Sequence, residues 1–400
     1  MTAGKIIVDA LVAHGIDRVF CVPGESYLGL LDALYQHDKV DTVVCRHEAG
    51  AGFMALADAR LTGRPGVACV SRGPGASNAA IAVHTAQQDG VPFLLFVGQV
   101  SSQDVRRDSF QEIDYGQMFG KIAKWTAEVT DPERMAETML RALQVAVTGV
   151  PGPVVIAVPE DVLGAACREV ELKPQAPVTS APTPEALAQA RYILETAACP
   201  VVLAGSGVAL PGDRAALLAF LEHWDMPAMV SFRRQDLLPN RHRLYAGDMG
   251  LSIPPSQMAA LREADVLLVV GARLSDITTQ GYLYPDLIRP AQKLIHVHAD
   301  ASVLGTHFAC DVAIASPVRD FLAGVGRPSG KLPDRHAWIG KLRGEREKIA
   351  TVRSFDVDDG IPFELVVDRV SKCLPDDAIV TLDAGTFGAP VYRVMPFTPP

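Results

Sequence analysis

Basic residues are in the minority in this chain, which has 37 Lys and Arg against 46 Asp and Glu and a formal net charge of -9. Nucleic acids and anionic membrane surfaces are recognised by a basic face, which this balance does not supply for the chain as a whole. A local basic pocket is still compatible with it. We therefore expect neither a nucleic-acid partner nor a membrane partner.

Regularly spaced cysteines and long apolar runs are also missing. The seven cysteines are odd in number and never spaced as C-x-x-C, so the sequence indicates neither a disulfide framework nor a zinc knuckle. Apolar runs such as 91–97 and 266–270 are far too short to span a bilayer. Residues 1–13 are predicted to form an amphipathic helix and lack the apolar core and cleavage site of a signal peptide. These absences predict a cytoplasmic protein with reduced thiols.

Short apolar, β-branched runs alternate with helical stretches in the first part of the chain. Runs that are apolar on both faces and separated by helices are typical of a parallel sheet covered by helices on both sides. The pattern predicts an α/β fold built from successive doubly wound parallel-sheet domains. The strand candidates are 18–22, 42–45, 66–71, 92–98 and 153–158, and the helix candidates between them are 27–36, 49–62, 78–88 and 132–147.

A proline-rich stretch at 172–184 can neither pair in a sheet nor continue a helix, so it is predicted to be a linker. The strand-helix rhythm resumes after it, with strand candidates at 200–204, 228–231, 266–270 and 293–297, and fades again in a segment rich in Gly, Pro and Ser. A further strand is predicted at 378–382. The predicted organisation is a first domain at 1–171, a Rossmann-like central domain at 185–326, a linker and helix at 327–360, and the start of a third α/β domain at 361–400.

Three strand-to-helix turns, at 22–26, 45–48 and 71–78, carry residues that could act in chemistry. Parallel α/β sheets present their functional side chains at such carboxyl ends of strands. Each turn also has an ordinary structural explanation: a turn capped by Ser26, a helix start favoured by the charge of Glu48, and a Gly-Pro turn. None of the three matches the G-x-G-x-x-G spacing of a dinucleotide-binding loop.

These turns and two later segments, taken in order, resemble the pyrimidine-binding domain of acetolactate synthase and its relatives, which use thiamin diphosphate. The series reads Val-Phe-Cys-Val-Pro-Gly at 19–24, Arg-His-Glu at 46–48, Gly-Pro-Gly-Ala-Ser-Asn at 73–78, Gly-Gln-Val at 98–100 and Phe-Gln-Glu at 110–112. Segments 264–275 and 295–300 resemble the central domain of the same enzymes. The resemblance covers essentially the whole chain, and it implies that 1–171 binds the pyrimidine and that 361–400 begins a diphosphate-binding domain.

The resemblance also implies individual roles. Glu48 is expected to hydrogen-bond a ring nitrogen of the cofactor's aminopyrimidine, which favours the imino tautomer that removes the thiazolium C2 proton. Such a carboxylate works best in a dry pocket that raises its proton affinity. Phe110 and Gln111 are expected on the substrate side, with Gln111 as a second catalytic residue. The implied cofactor-binding residues are Pro23, Gly24, Glu48, Pro74 and Asn78.

The family's magnesium site is missing from these 400 residues. In the family, a Gly-Asp-Gly segment and a later Asn bind the magnesium ion that neutralises the diphosphate, and oxygen ligands suit that ion. Here asparagine occurs only at Asn78 and Asn240, and the Gly-Asp pairs at 212–213 and 247–248 have no such Asn after them. We predict no metal site in this chain, thiamin diphosphate and Mg2+ as cofactors of the complete enzyme, and no turnover by these residues alone. The chain is then a fragment or a natural derivative.

Acetolactate synthases also bind FAD in the central domain, and Gly205, Gly207, Gly271 and Arg273 resemble the loops that approach it. Arg273 could meet a phosphate there. However, His298 replaces the first Asp of the family's Ile-His-Ile-Asp-Ile-Asp segment, and a neutral imidazole cannot make the same contact as a carboxylate. We expect that flavin is not retained and that a vestigial nucleotide fold remains.

Together these expectations predict an enzyme that decarboxylates a 2-oxo acid and passes the bound carbanion to an acceptor. Val22 and Glu25 stand where relatives often have Tyr and Gly, so the substrate preference is left open. One alternative is a related enzyme that acts on an acyl-CoA or a sulfonated aldehyde, and another is a non-catalytic subunit that acts by association. Since the family's cofactor sits between chains, a homodimer or homotetramer is expected.

Overall fold

The computed structural model describes residues 1–251, 253–352, 357–375, 377–383 and 385–399. It divides the chain into two compact units, Met1–Val178 and Thr179–Pro400. Among the described helices, none combines the length and the apolar character needed to cross a membrane.

The first unit is built on a six-stranded parallel sheet with the order β2-β1-β3-β4-β6-β5. β4 and β6 are buried along their whole length, as expected for strands with helices on both faces. Neighbouring residues of β4 alternate between two apolar clusters, so Leu94 packs on one face and Phe93 on the other. The strands are β1 (Arg18–Cys21), β2 (Asp41–Val44), β3 (Gly66–Ser71), β4 (Phe93–Gln99), β5 (Trp125–Glu128) and β6 (Pro153–Pro159). The helices are α1 (Ala3–Ala13), α2 (Leu28–Tyr35), α3 (Glu48–Thr62), α4 (Arg72–Asp89), α5 (Tyr115–Phe119), α6 (Met135–Val147) and α7 (Glu160–Gly164).

The second unit contains another six-stranded parallel sheet, with the order β12-β11-β10-β7-β8-β9. The predicted class of doubly wound parallel sheets is therefore confirmed for both sheets. The strands are β7 (Pro200–Ala204), β8 (Ala228–Ser231), β9 (Tyr245–Met249), β10 (Val266–Val270), β11 (Lys293–His298) and β12 (Val312–Ala315). The helices are α8 (Pro184–Thr196), α9 (Pro211–Trp224), α10 (Pro255–Leu261), α11 (Val318–Val325), α12 (His336–Ala350), α13 (Phe363–Cys373) and α14 (Gly388–Val394).

Each sheet has a central point at which its winding direction reverses; in the first sheet the chain also turns back at the edge, from β5 to β6. In the first sheet the chain passes from β1 to β2 on one side and then to β3 on the other, so the reversal lies between β1 and β3. In the second sheet it lies between β7 and β10. Open α/β sheets bind ligands in the crevice outside the carboxyl ends of the strands at such a point. These two crevices are therefore the first places to look for a site.

Two local features differ from the sequence-based expectation. Helix α4 begins at Arg72, six residues before the predicted start, because Pro74 falls in the first turn, where its missing N–H costs no helical hydrogen bond. The strand predicted at 378–382 does not form: the described residues 377–383 join no sheet, and the Ile379 side chain is 93% exposed. A strand needs a neighbour for its backbone hydrogen bonds, and within the described residues none lies beside this segment.

Arg335, directly before α12, is a fully buried arginine of the second unit. It is only 1% exposed, and its guanidinium donates to the carbonyl oxygens of Leu194 at 2.6 Å, Ala197 at 2.8 Å and Trp224 at 2.5 Å. These carbonyls belong to the carboxyl-terminal ends of α8 and α9, which have no partner within their own helices. One side chain therefore closes two helix ends.

Candidate cofactor site

Small residues allow the ends of three strands to approach one another at the β1/β3 crevice. A Cβ at Gly24 would lie 2.5 Å from Cβ of Ser71, and one at Gly98 would lie 2.3 Å from Oγ of Ser26. The hydroxyls of Ser26 and Ser71 are 2.7 Å apart and share a hydrogen bond. The turn after β1 is therefore fixed against the ends of β3 and β4, and this position requires Gly24 to be glycine. Pro23 of the same turn is exposed.

Tyr27 fixes the same turn through a hydrogen bond from its buried ring. Its ring is 1% exposed, and its hydroxyl donates a hydrogen bond to the carbonyl oxygen of Val22. Burial is the main cause of the raised pKa of Tyr27, and the nearby thiols and carboxylate of Glu48 add to it. Tyr27 is therefore a neutral donor that positions the turn.

Glu48 is the first residue of α3 and lies half-buried at the crevice. Its Oε2 accepts a hydrogen bond of 2.9 Å from Nδ2 of Asn78, a residue of α4. A Cβ at Gly75 would stand 3.5 Å from Oε1, so glycine keeps the space beside this oxygen open. The structure thus brings together two of the segments on which the family resemblance rests.

The start of α4 also touches the loop of Phe110 and Gln111. The backbone N–H of Gly73 donates to the carbonyl oxygen of Gln111 at 2.9 Å, and a Cβ at Gly73 would lie only 2.7 Å from that oxygen. Phe110 is 77% exposed, and the side chains of Gln111 and Pro74 are exposed as well. The predicted substrate-side loop is therefore joined to the predicted cofactor-side helix through its backbone.

Polar contacts that sequence reasoning did not single out fasten the loop at 101–114. The carboxylate of Asp161 accepts a hydrogen bond of 2.9 Å from the backbone N–H of Ser102. Burial alone would raise the pKa of Asp161, but hydrogen bonds from Ser102 outweigh burial, and the pKa is lowered. Arg106 pairs with Glu112 at 2.8 Å and with Glu128 at 2.9 Å. Only the density of charges in this loop could have indicated such a network.

The glycines of the second crevice pack backbone against backbone. A Cβ at Gly271, which has φ of +65°, would lie 2.6 Å from Cα of Gly207, and one at Gly205 would lie 2.5 Å from Cα of Ala272. The N–H of Gly207 donates to the carbonyl oxygen of Gly271 at 3.1 Å. These contacts between the loops after β7 and β10 are a sufficient reason for glycine at all three positions.

Arginines gather at this second crevice. Arg273 follows β10 and is exposed. Burial is the main cause of the lowered pKa of Arg234, which follows β8, and the charges of Arg214 and Arg273 add to it. Arg214 itself is 7% exposed and donates to Asp236 at 3.2 Å. Sequence reasoning found Arg273 alone, although Arg234, in the loop that follows β8, carried a comparable signal.

His298 lies at the end of β11 in the same unit and is 6% exposed. Its Nδ1 accepts a hydrogen bond of 3.0 Å from the backbone N–H of Asp300. Burial lowers the pKa of His298 to about 4, so the imidazole is neutral at pH 7. Within the described ranges, no group of three or more His, Cys, Asp or Glu residues could hold a metal ion.

Two family models match the chain: the thiamine pyrophosphate enzyme N-terminal TPP binding domain over residues 1–118 and the central domain of the same enzymes over residues 187–325. The acetolactate synthase large subunit of Corynebacterium glutamicum is 31% identical over 96% of this chain and 62% of its own length. The isozyme 1 large subunit of acetolactate synthase from Escherichia coli is 33% identical over 96% of this chain and 67% of its own length. A probable acetolactate synthase large subunit of Methanocaldococcus jannaschii is 30% identical, with 96% and 67% covered.

These matches define the class of the protein. The chain belongs to the thiamin-diphosphate-dependent enzyme family. Within that family it is similar to acetolactate synthase large subunits, and it spans about 62% to 67% of the length of these three relatives.

Proposed function

We propose that this chain forms the pyrimidine-binding and central parts of an acetolactate-synthase-like enzyme that decarboxylates a 2-oxo acid and ligates the remaining fragment to an acceptor. The observation that carries the proposal is the Glu48 carboxylate at the β1/β3 crevice, held by Asn78 and open beside Gly75. A carboxylate with one oxygen occupied and space at the other suits a ring nitrogen that shares a proton.

The residues of the crevice have different proposed roles. Thiamin diphosphate, when bound, would supply the nucleophilic carbon and accept the electron pair that stays behind when carbon dioxide leaves. Glu48 holds the proton shared with the pyrimidine, and Asn78 fixes the orientation of its carboxylate. Pro23, Gly24 and Pro74 would border the ring. Phe110 and Gln111, on the loop joined to Gly73, would face the substrate.

Mg2+ prefers oxygen ligands, and no group of three or more His, Cys, Asp or Glu residues within the described ranges could hold a metal ion. We therefore propose magnesium as a cofactor of the complete enzyme, and we expect thiamin diphosphate to bind these 400 residues weakly, without turnover of pyruvate. We expect purified protein to lack the visible absorbance of stoichiometric flavin, because His298 is neutral and no carboxylate stands in its place.

The test of the proposed function is Glu48→Gln in the complete enzyme. The amide cannot take up the shared proton, so exchange of the thiazolium C2 proton with deuterium should slow by about 100-fold or more, measured by acid quench and NMR. Glu137→Gln on α6, whose side chain is 64% exposed, is the matched control and should exchange normally. Unchanged exchange in Glu48→Gln would remove this residue from the mechanism.

We further propose self-association through the outer faces of α3 and α4. These helices carry exposed apolar side chains, including Phe53 at 44%, Met54 at 50%, Leu61 at 66% and Ile81 at 50%. Contiguous exposed apolar side chains are typical of an interface, and a two-fold dimer is the simplest assembly. A purely monomeric mass by light scattering at micromolar concentration would count against this proposal.

A further inference from the structure

Arg72 occupies an unusual backbone position for a residue with a side chain. It lies at the junction of β3 and α4 with φ of +36°, outside the regions that L residues normally adopt. Such strain persists only where the surroundings hold it, and it concentrates at functional sites. The Arg72 side chain is only 13% exposed, so most of it is buried in the protein.

The neighbours of Arg72 place it between the two halves of the candidate site. Gly73, the next residue, donates its N–H to the carbonyl oxygen of Gln111 on the substrate-side loop. Gly75, one helical turn onward, borders Oε1 of Glu48. Arg72 therefore stands on the same turn as the contacts to the activating carboxylate and to the substrate-side loop.

Only some of the N–H donors of the Arg72 guanidinium form hydrogen bonds with other described residues. Its Nη2 donates to Oε2 of Glu160 at 3.1 Å, whereas Nη1 lies 3.8 Å from Oε1 of Glu25, too far for a hydrogen bond. Its Nε is buried and has no hydrogen-bond partner among the described residues. The side chain of Glu25 is 79% exposed and can move into solvent. A guanidinium has five N–H donors, so Arg72 can accept a further anion without losing Glu160.

The chemistry of decarboxylation determines which anionic group of the substrate Arg72 can bind without slowing the reaction. The carboxylate next to the keto group loses its charge as carbon dioxide leaves, so an ion pair with it would stabilise the substrate more than the transition state and slow the reaction. A second anionic group keeps its charge throughout, and a guanidinium beside it improves binding without that cost. Arginine also suits carboxylate and sulfonate oxygens through its planar fork of donors.

We propose that Arg72 is a specificity-determining residue that recognises a second anionic group, carboxylate or sulfonate, on the 2-oxo acid. The proposal rests on the proposed function for the reacting end of that acid. Without substrate, Arg72 rests against Glu25 and Glu160; with substrate, Nη1 turns from Glu25 to the anion.

The test compares 2-oxoglutarate with 2-oxopentanoate, which share a five-carbon chain and differ by the terminal carboxylate, and 3-sulfopyruvate with pyruvate as the sulfonate pair. Ligand-observed NMR on the 400-residue protein, with and without thiamin diphosphate and Mg2+, measures each affinity. We expect the wild type to bind at least one of the doubly charged acids about tenfold more tightly than its singly charged counterpart. The pair that shows the preference identifies the group.

Three variants separate recognition from folding. Arg72→Gly suits the positive φ and should abolish the preference, while Arg72→Lys should retain part of it. Arg134→Gln, on a side chain that is 69% exposed directly before α6, should leave the preference intact. An absent preference in the wild type, or an equal loss of both members of a pair in Arg72→Gly, would overturn the proposal and leave a structural ion pair. Failure of the proposed function would appear separately, as unchanged C2 exchange in Glu48→Gln.

Discussion

The two sheets of this protein have the same architecture but use their winding reversals differently. At the β1/β3 crevice, side chains of Glu48, Asn78 and Arg72 project from strand and helix ends. At the β7/β10 crevice, Gly207 and Gly271 bring two loops into direct backbone contact. On the proposed function, the same position in the fold serves chemistry in the first unit and packing in the second, and glycine is needed in both cases. On this comparison, substitutions at the second crevice should affect stability and those at the first should affect chemistry.

The largest expected effect on stability concerns His298. Its pKa is about 4 in the folded state against an ordinary value of 6.5, so the unfolded chain binds more protons between these values. The contribution of His298 to the free energy of unfolding is fully present above pH 6.5. It is lost as the pH falls toward 4, by up to about 3 kcal/mol. Urea unfolding of His298→Gln should show a weaker dependence on pH over this range. His336→Gln, on a side chain that is 85% exposed, is the control, and an unchanged pH slope in His298→Gln would contradict the prediction.

A somewhat smaller effect is expected for Gly271→Ala. The new Cβ combines positive φ with a 2.6 Å contact to Cα of Gly207, and we expect a loss of about 2 kcal/mol or more in the free energy of unfolding. Gly281→Ala is the matched control, because Gly281 has φ of +72° but no atom within 4 Å of the added Cβ. The difference between the variants measures the backbone contact alone. Equal losses would mean that the loops can separate without cost.

The smallest effect on stability is expected at the first crevice, for Asn78→Ala. Asn78 is exposed, so the unfolding free energy should change by no more than about 0.5 kcal/mol. The substitution removes the hydrogen bond to Glu48, and in the complete enzyme C2 exchange should slow by up to about tenfold. Ser77→Ala, at the neighbouring exposed position, should change neither quantity. A large loss of stability in Asn78→Ala would make the first crevice resemble the second.

The strands that sequence reasoning located to the residue are those whose apolar run is continuous. β7, β8 and β10 have the predicted bounds because each is buried at every position and carries its own signal. β5 and β12 lie at sheet edges and are only partly buried, and β9 contains Gly247 and Asp248, so their patterns were too weak to find. Hydrophobic periodicity finds central strands most readily. Of the four edge strands it found β2 alone, at 42–45 instead of Asp41–Val44.

The candidate site was predictable to a similar, limited extent. Family resemblance singled out Glu48 and Asn78 separately, but their hydrogen bond depends on the approach of α3 to α4, which no local pattern specifies. The ion pair of Arg72 with Glu160 joins residues 88 positions apart in the chain. Such contacts depend on the order of the strands in the sheet, and that order cannot be predicted from the local patterns of a single sequence.

The buried guanidinium of Arg335 determines where this protein can be cut for study. A recombinant fragment that ended at residue 326 would lose the donor to Leu194, Ala197 and Trp224 and leave three helix-end carbonyls desolvated without partners. It would also remove α12, whose Trp338 donates to the carbonyl oxygen of Pro200 at the start of β7. An independently folding piece of the second unit must therefore extend through α12, to Ala350.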